Sequence, residues 1–110
     1  MNWNTLSEEA QVDIIIRDSF QSPQLIFKHS TRCSISIMAK SRLERSIQPS
    51  HIHFHYLDLL NYRSVSNYIA ERLSVFHESP QVLLINKGEC VFVEAHNAIN
   101  MDEIIEQVNG

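Results

Sequence analysis

Cys33 is the residue of this 110-residue chain whose type and position are best suited to covalent chemistry. A short apolar stretch, 23–27, ends in a polar loop, and the cysteine lies where a helical pattern begins. The unpaired N–H groups and positive end of a helix stabilise a thiolate relative to a thiol. Three residues later, where a dithiol redox motif would have its second cysteine, the chain has Ser36. This Cys-x-x-Ser spacing indicates thiol–disulfide exchange with one thiol rather than two.

Polar residues around the cysteine could support such a thiol. His29 and Arg32 bring positive or potentially positive charge, which stabilises a thiolate. Lys28 could do the same, although a solvated loop charge is an equally good explanation of that residue. The hydroxyls of Thr31 and Ser36 can either hydrogen-bond a thiolate or cap the helix.

Size and composition limit the classes of protein to consider. A chain of 110 residues with 44% hydrophobic and 20% charged side chains fits one globular domain, 1–110. A net charge of −4 gives no overall basic field that would attract nucleic acid or anionic lipid. No apolar run approaches the roughly 20 residues of a membrane span, and no signal-peptide pattern is visible. We therefore expect a cytoplasmic protein with reduced thiols and no nucleic-acid or membrane partner.

Hydrophobic periodicity predicts the elements that position Cys33. Helices are predicted at 7–19, 33–47, 65–73 and from residue 100 or 101 onward, and strands at 24–28, 51–59, 81–85 and 90–95. Ser7 and Ser64 are the predicted N-caps of the first and third helices. The side chains predicted to face inward from the first two helices are Ala10, Val12, Ile14 and Ile15, then Ile35, Met38, Ala39 and Leu43.

The order of these elements, α-β-α-β-α-β-β-α, predicts the fold class. A helical crossover joins the first two strands, which makes them parallel, and a hairpin signal at 86–89 makes the last two antiparallel. A mixed four-stranded sheet with helices on both faces satisfies both connections. With a redox cysteine after the first core strand, this is a thioredoxin-like three-layer α/β/α sandwich.

Two sequence blocks resemble one family within that superfamily. The segment 27–36, Phe-Lys-His-Ser-Thr-Arg-Cys-Ser-Ile-Ser, resembles the active-site segment of the YtxJ-type monothiol bacilliredoxins. The segments 63–71 and 77–81 resemble that family's central helix and its Ser-Pro-Gln entry to the third strand. The family commonly has proline after the cysteine, a favourable residue in a first helical turn, whereas this chain has Ser34. Ser34 adds a backbone N–H and a hydroxyl near the sulfur.

The resemblance implies a monothiol thiol–disulfide oxidoreductase that removes bacillithiol from mixed disulfides on proteins, with Cys33 as the nucleophile. It implies no bound cofactor, bacillithiol as the thiol co-substrate, bacillithiolated proteins as partners, and a monomer or weak homodimer. In the superfamily, the peptide bond before the matching proline, here Pro80, is cis, and that proline abuts the cysteine. A simple strand-entry proline is the alternative. The substrate-binding residues that we predict are His29, Thr31, Arg32, Ser34, Ser36, Ser79 and Pro80.

Other interpretations remain open from the sequence. A single-thiol thioredoxin-like protein can carry an iron–sulfur cluster or metal between two subunits. Cys90 lies in an apolar strand and fits a core position, but it would be a resolving thiol if it lay close to Cys33. His51, His53 and His55 alternate along one strand, and imidazoles bind zinc, copper or nickel. Same-face neighbours are about 7 Å apart, too far for all three to reach one ion, so we predict no metal site.

Overall fold

A computed structural model describes residues 1–109, which form a central sheet covered by helices on both faces. The strands are β1 (Trp3–Thr5), β2 (Gln24–His29), β3 (His53–Asp58), β4 (Gln81–Asn86) and β5 (Glu89–Ala95). The helices are α1 (Glu9–Asp18), α2 (Ser34–Arg45), α3 (Arg63–Leu73) and α4 (Met101–Asn109), with a 3₁₀ turn at His96–Ala98. None of these helices is long and apolar enough to cross a membrane.

The sheet has five strands in the order β1-β3-β2-β4-β5, so the prediction of four strands is wrong. β3 runs parallel to β1 and β2, and β4 runs antiparallel to β2 and β5. The missed strand, β1, has three residues and places Trp3 opposite Phe54 at the sheet edge. Trp3 is its only apolar residue, so the segment has no alternating pattern from which a strand could be predicted.

The two faces of the sheet carry separate hydrophobic cores, because side chains alternate across a strand. Ile26 and its same-face neighbours pack under α1 and α3. Leu25 and Phe27 pack under α2 and α4. All six side chains of β2 are buried, as expected for a strand in the middle of a sheet that is covered on both faces.

The inward faces of the first two helices differ from the prediction. In α1, Ile16 is buried together with Val12 and Ile15, while Ala10 and Ile14 are exposed. In α2 the buried side chains are Ser36, Ala39 and Leu43, whereas Ile35 and Met38 face outward. Apolar residues occur on several sides of both helices, so periodicity alone could not identify the buried side.

The predicted N-caps are also displaced. Glu8, not Ser7, caps α1, because Gln11 Oε1 accepts the backbone N–H of Glu8 at 2.9 Å in a capping box. Tyr62, not Ser64, precedes the first turn of α3. Local polarity identified where each helix begins to within two residues, but tertiary contacts select the cap itself.

Candidate active site

Cys33 lies between the carboxyl end of β2 and the first turn of α2, where it is the N-cap residue. Its backbone is extended, with φ −109° and ψ 119°. The Cys33 N–H donates to the carbonyl of Ser30 at 3.3 Å, and its own carbonyl accepts the N–H of Ile37 at 3.0 Å. The side chain is half-buried and carries a free thiol. A thiol here is accessible and adjoins the unpaired N–H groups of the helix.

Ser36 occupies the position of a resolving cysteine, but its hydroxyl is committed to the protein interior. Its side chain is 0% exposed. Ser36 Oγ accepts the backbone N–H of Ser30 at 3.0 Å and shares a hydrogen bond of 2.6 Å with His29 Nδ1. These two bonds tie the first turn of α2 to the end of β2.

His29 is buried at the end of β2, and it lies between two aromatic rings. Its ring centroid is 5.6 Å from that of Phe27 and 5.5 Å from that of Tyr56. Burial, and then the positive charge of Lys40, hold the pKa of His29 below its ordinary value. At neutral pH, His29 is therefore a neutral hydrogen-bonding group at the base of the Cys33 loop rather than the positive charge suggested by the sequence.

The other predicted residues next to Cys33 are open to solvent. Thr31, Arg32 and Ser34 are exposed on the loop and at the start of α2. The backbone N–H of Arg32 donates to Ser30 Oγ at 3.4 Å, which helps to shape the loop. These three side chains are free to meet a substrate, and their role in binding one stays a prediction.

The Ser79–Pro80 segment lies at the same end of the sheet as Cys33. Strand β4 begins directly after Pro80, and its first residue, Gln81, is opposite Lys28 near the end of β2. The Ser79–Pro80 peptide bond is cis, as the resemblance implies. The Pro80 carbonyl accepts the N–H of His96 at 3.0 Å. The Ser79 hydroxyl is buried without a hydrogen-bond partner. Contact of this segment with a substrate stays a prediction.

Lys28 is not a loop charge, because it lies within β2 and is 0% exposed. Its Nζ donates to the carbonyl of Ser66 at 3.2 Å and to His77 Nδ1 at 3.3 Å. Burial lowers the pKa of Lys28 from 10.5 to about 8. The sequence does indicate this burial, because Lys28 is two residues after Ile26 in the same strand. Both side chains therefore point to the α1/α3 face.

Cys90 is too far from Cys33 to resolve a mixed disulfide. It is half-buried on β5 opposite Ile85, which also pairs with Gln24 at the start of β2. The length of β2, about 16 Å from the strand rise, therefore separates Cys90 from the end of the sheet that carries Cys33. A disulfide requires Cα atoms within about 7 Å. Burial also raises the pKa of the Cys90 thiol.

The histidine row does not converge. His53 and His55 lie in β3, whereas His51 precedes it on an exposed turn. His55 Nε2 donates to Gln24 Oε1 at 2.7 Å, and burial lowers the pKa of His55 to about 4. Among residues 1–109, no group of three or more His, Cys, Asp and Glu side chains is arranged to hold a metal ion.

Comparison with known proteins identifies the family. The family model of the monothiol bacilliredoxin BrxC matches residues 4–104. A solved structure assigned as an oxidoreductase with a thioredoxin fold is 29% identical, with a TM-score of 0.82 over 94% of this chain and 90% of that one. The chain is also similar to the thioredoxin of Malassezia sympodialis, at 14% identity and a TM-score of 0.73 over 98% of this chain and 89% of that one. The thioredoxin of Fasciola hepatica is 15% identical, with a TM-score of 0.73 over 96% of each chain.

The thioredoxins share so few residues with this chain that they show the fold alone. They nevertheless confirm the predicted thioredoxin-like architecture. The family match covers most of the chain, including the Cys33 loop and the Ser79–Pro80 segment. The chain therefore belongs to the monothiol bacilliredoxin family and is a thiol oxidoreductase of the thioredoxin fold.

Proposed function

We propose that this protein removes bacillithiol from mixed disulfides on other proteins, with Cys33 as the single nucleophile. The observation that carries the proposal is the contrast between Cys33 and Ser36. Cys33 presents a free, partly exposed thiol at the start of α2, while Ser36 is a buried hydroxyl bonded to the loop. Membership of the bacilliredoxin family supports bacillithiol as the small thiol.

The reaction is a pair of thiol–disulfide exchanges. The Cys33 thiolate attacks the bacillithiol sulfur of the mixed disulfide, so a new sulfur–sulfur bond forms and the protein substrate leaves as a thiolate. A second bacillithiol thiolate then attacks the adduct on Cys33. Oxidised bacillithiol leaves, and Cys33 returns as a thiolate. Each cycle therefore reduces one protein mixed disulfide, consumes one molecule of reduced bacillithiol and releases one molecule of bacillithiol disulfide.

The predicted binding residues divide into two groups by exposure. Arg32 and Ser34 are exposed beside the thiol, where a guanidinium and the N–H groups of a helix start can bind the carboxylates of bacillithiol. His29 and Ser36 are buried, and we propose that they act on the substrate by fixing the loop. The backbone at Ser79 offers hydrogen bonds to the protein part of the substrate. We propose a monomer or weak homodimer that acts in the cytoplasm.

Release of bacillithiol from a model protein with one bacillithiolated cysteine tests the proposal. We expect Cys33→Ser to abolish release and Cys90→Ser to keep most of it, because Cys90 is remote and half-buried. Mass spectrometry of Cys90→Ser without added thiol should find one bacillithiol on Cys33. Equal loss of activity from both substitutions would contradict the single-nucleophile mechanism.

The choice of small thiol needs a separate comparison. The same model protein carrying glutathione instead of bacillithiol should react more slowly, and equal rates would contradict bacillithiol as the preferred group. A visible-absorbing cluster after anaerobic reconstitution, lost in Cys33→Ser, would favour the iron–sulfur carrier instead.

A further inference from the structure

A buried polar cluster lies on the α1/α3 side of the sheet, next to the Ser79–Pro80 segment. We call Lys28, Ser66 and His77 the Lys28 cluster. Lys28 Nζ donates to the Ser66 carbonyl at 3.2 Å and to His77 Nδ1 at 3.3 Å, and the Ser66 hydroxyl lies 3.2 Å from the same Nδ1. The cluster therefore joins three elements: strand β2, helix α3 and the segment that leads into β4.

The ammonium of Lys28 is buried without a carboxylate partner. Three ion pairs form within residues 1–109, and Lys28 belongs to none of them. Its neighbours across the two adjacent strands, Leu57 and Gln81, carry no charge. An unpaired charge in a protein interior is unfavourable, so its presence is not explained by stability. A role in the site at the same end of the sheet explains it better.

The Lys28 cluster and the Gln81 side chain both bind the loop 76–80 from the α1/α3 face, because Gln81 lies directly opposite Lys28 in the sheet. Gln81 Nε2 donates to the carbonyl of Phe76 at 2.9 Å, while Lys28 holds the adjacent residue, His77. Phe76 itself is 95% exposed, so its side chain does not anchor the segment. The loop that leads to Ser79 and Pro80 is therefore held by Lys28 and Gln81, while the His96 N–H holds the Pro80 carbonyl.

The proton on His77 controls whether the cluster can form. Because an ammonium can only donate, Nδ1 accepts the hydrogen bond from Lys28, which requires its lone pair to be free. Burial, then the charges of Lys28 and Arg63, lower the pKa of His77, whereas Glu78 opposes them. A proton at Nδ1 would remove the acceptor and place two cations next to each other.

We propose that Lys28 and His77 are positioning residues that hold the Ser79–Pro80 segment where a substrate polypeptide binds beside Cys33, and that protonation of His77 releases this segment. The inference rests on the proposed function only in requiring that a polypeptide disulfide reacts at Cys33. Exchange with polypeptide disulfides then fails in mild acid, even where the Cys33 thiolate still reacts with small disulfides.

A ratio of two rates tests this inference. The first rate is exchange with a peptide whose single cysteine carries bacillithiol, and the second is reaction of Cys33 with dithiodipyridine, which has no peptide backbone to bind. Ionisation of Cys33 affects both rates and cancels in their ratio. Because the pKa of His77 is lowered from 6.5, the ratio for the native protein should fall only in acid, by about tenfold between pH 7 and pH 4, as for loss of one hydrogen bond to a charged group.

Substitutions of His77 separate positioning from general structural damage. Asn places an amide oxygen close to where Nδ1 lies and does not titrate, so His77→Asn should keep the ratio high and make it independent of pH. His77→Leu, which offers no acceptor, should have a low ratio at both pH values. His51→Asn is the matched control, since it removes an exposed imidazole from the opposite end of the sheet, and its ratio should follow the native protein. A native ratio that does not change with pH, or an acid loss that persists in His77→Asn, would overturn the inference.

Amide hydrogen exchange gives a readout that needs no disulfide substrate. The His96 N–H donates to the Pro80 carbonyl, so its protection should decrease between pH 7 and pH 4 in the native protein and stay constant in His77→Asn. If the peptide does not react at all, the proposed function fails, and these protection factors still decide the inference. Unchanged protection in the native protein would refute release of the segment.

Discussion

Replacing Lys28 by methionine removes a buried ammonium and keeps an unbranched apolar chain of similar length. Burial lowers the pKa of Lys28 from 10.5 to about 8, so the unfolded chain binds more protons than the folded one between these values. The free energy of unfolding of the native protein should therefore rise as the pH increases through this window. Methionine cannot titrate, so the variant should lack this contribution.

The size of this change in the free energy of unfolding follows from the lowering of the Lys28 pKa. A pKa unit corresponds to about 1.4 kcal/mol, so the charged lysine lowers the stability of the native protein by about 3 kcal/mol at pH 7. The free energy of unfolding of the native protein should therefore increase by about 2 to 3 kcal/mol between pH 7 and pH 10, as Lys28 loses its proton. The substitution also removes the hydrogen bonds that Lys28 donates to the Ser66 carbonyl and His77 Nδ1, at a cost of about 1–3 kcal/mol. At pH 7 the two effects nearly cancel, and Lys28→Met should be as stable as the native protein or slightly more stable.

Urea unfolding at several pH values between 7 and 10 measures this difference. Trp3 packs against Phe27 with ring centroids 5.6 Å apart, and its fluorescence reports unfolding. The free energy of unfolding of Lys28→Met is subtracted from that of the native protein at each pH. This difference removes the contributions of the other titrating groups, which both proteins share. Lys87→Met, at the exposed hairpin tip, is the control and should follow the native curve. Parallel curves for the native protein and Lys28→Met, or a loss of more than about 3 kcal/mol at pH 7, would refute the reasoning.

Two further predictions concern Ser36 and the β4–β5 hairpin. In Ser36→Cys, the new thiol should attack the bacillithiol adduct on Cys33 and displace bacillithiol. Mass spectrometry after treatment with oxidised bacillithiol should then find an internal disulfide and no retained bacillithiol. A stable adduct would contradict the assignment of position 36 as the resolving position. Gly88→Ala should lower the free energy of unfolding by about 1–2 kcal/mol, because φ is +83° and an added Cβ would lie 2.6 Å from the Phe20 ring. Thermal unfolding measures this loss of stability. An unchanged midpoint temperature would contradict the prediction, because it would mean that the Phe20 ring and the backbone at residue 88 move to accept the added Cβ.

Local sequence patterns were sufficient for the main elements of the fold. Strands β2 and β4 are apolar runs bounded by turn residues, and the thiol of Cys33 stands where such a run changes to helical spacing. Strand β1 could not be found in this way, because it depends on Trp3 packing against residues about 50 positions away.

The interior of the candidate site was less predictable, because it depends on contacts between distant residues. Ser36 is buried in preference to Ile35 because His29 and Ser30 satisfy its hydroxyl, and helical periodicity contains no information on those partners. Lys28 is buried where the Ser66 carbonyl and His77 Nδ1 accept hydrogen bonds from its ammonium, and neither partner is adjacent to it in sequence. A polar residue in a core is explained by its partners, which a single sequence does not reveal.

The separation of Cys33 from Cys90 has a consequence for the kinetics of the proposed cycle. With no second thiol in reach, regeneration of Cys33 is a collision with a molecule from solution, and its rate is proportional to the concentration of that molecule. The fraction of the protein that carries an adduct then rises whenever the reduced thiol pool of the cell falls. The fraction of such a protein with an adduct on Cys33 would therefore report the concentration of reduced thiol. A dithiol enzyme would not do so, because its second thiol removes the adduct.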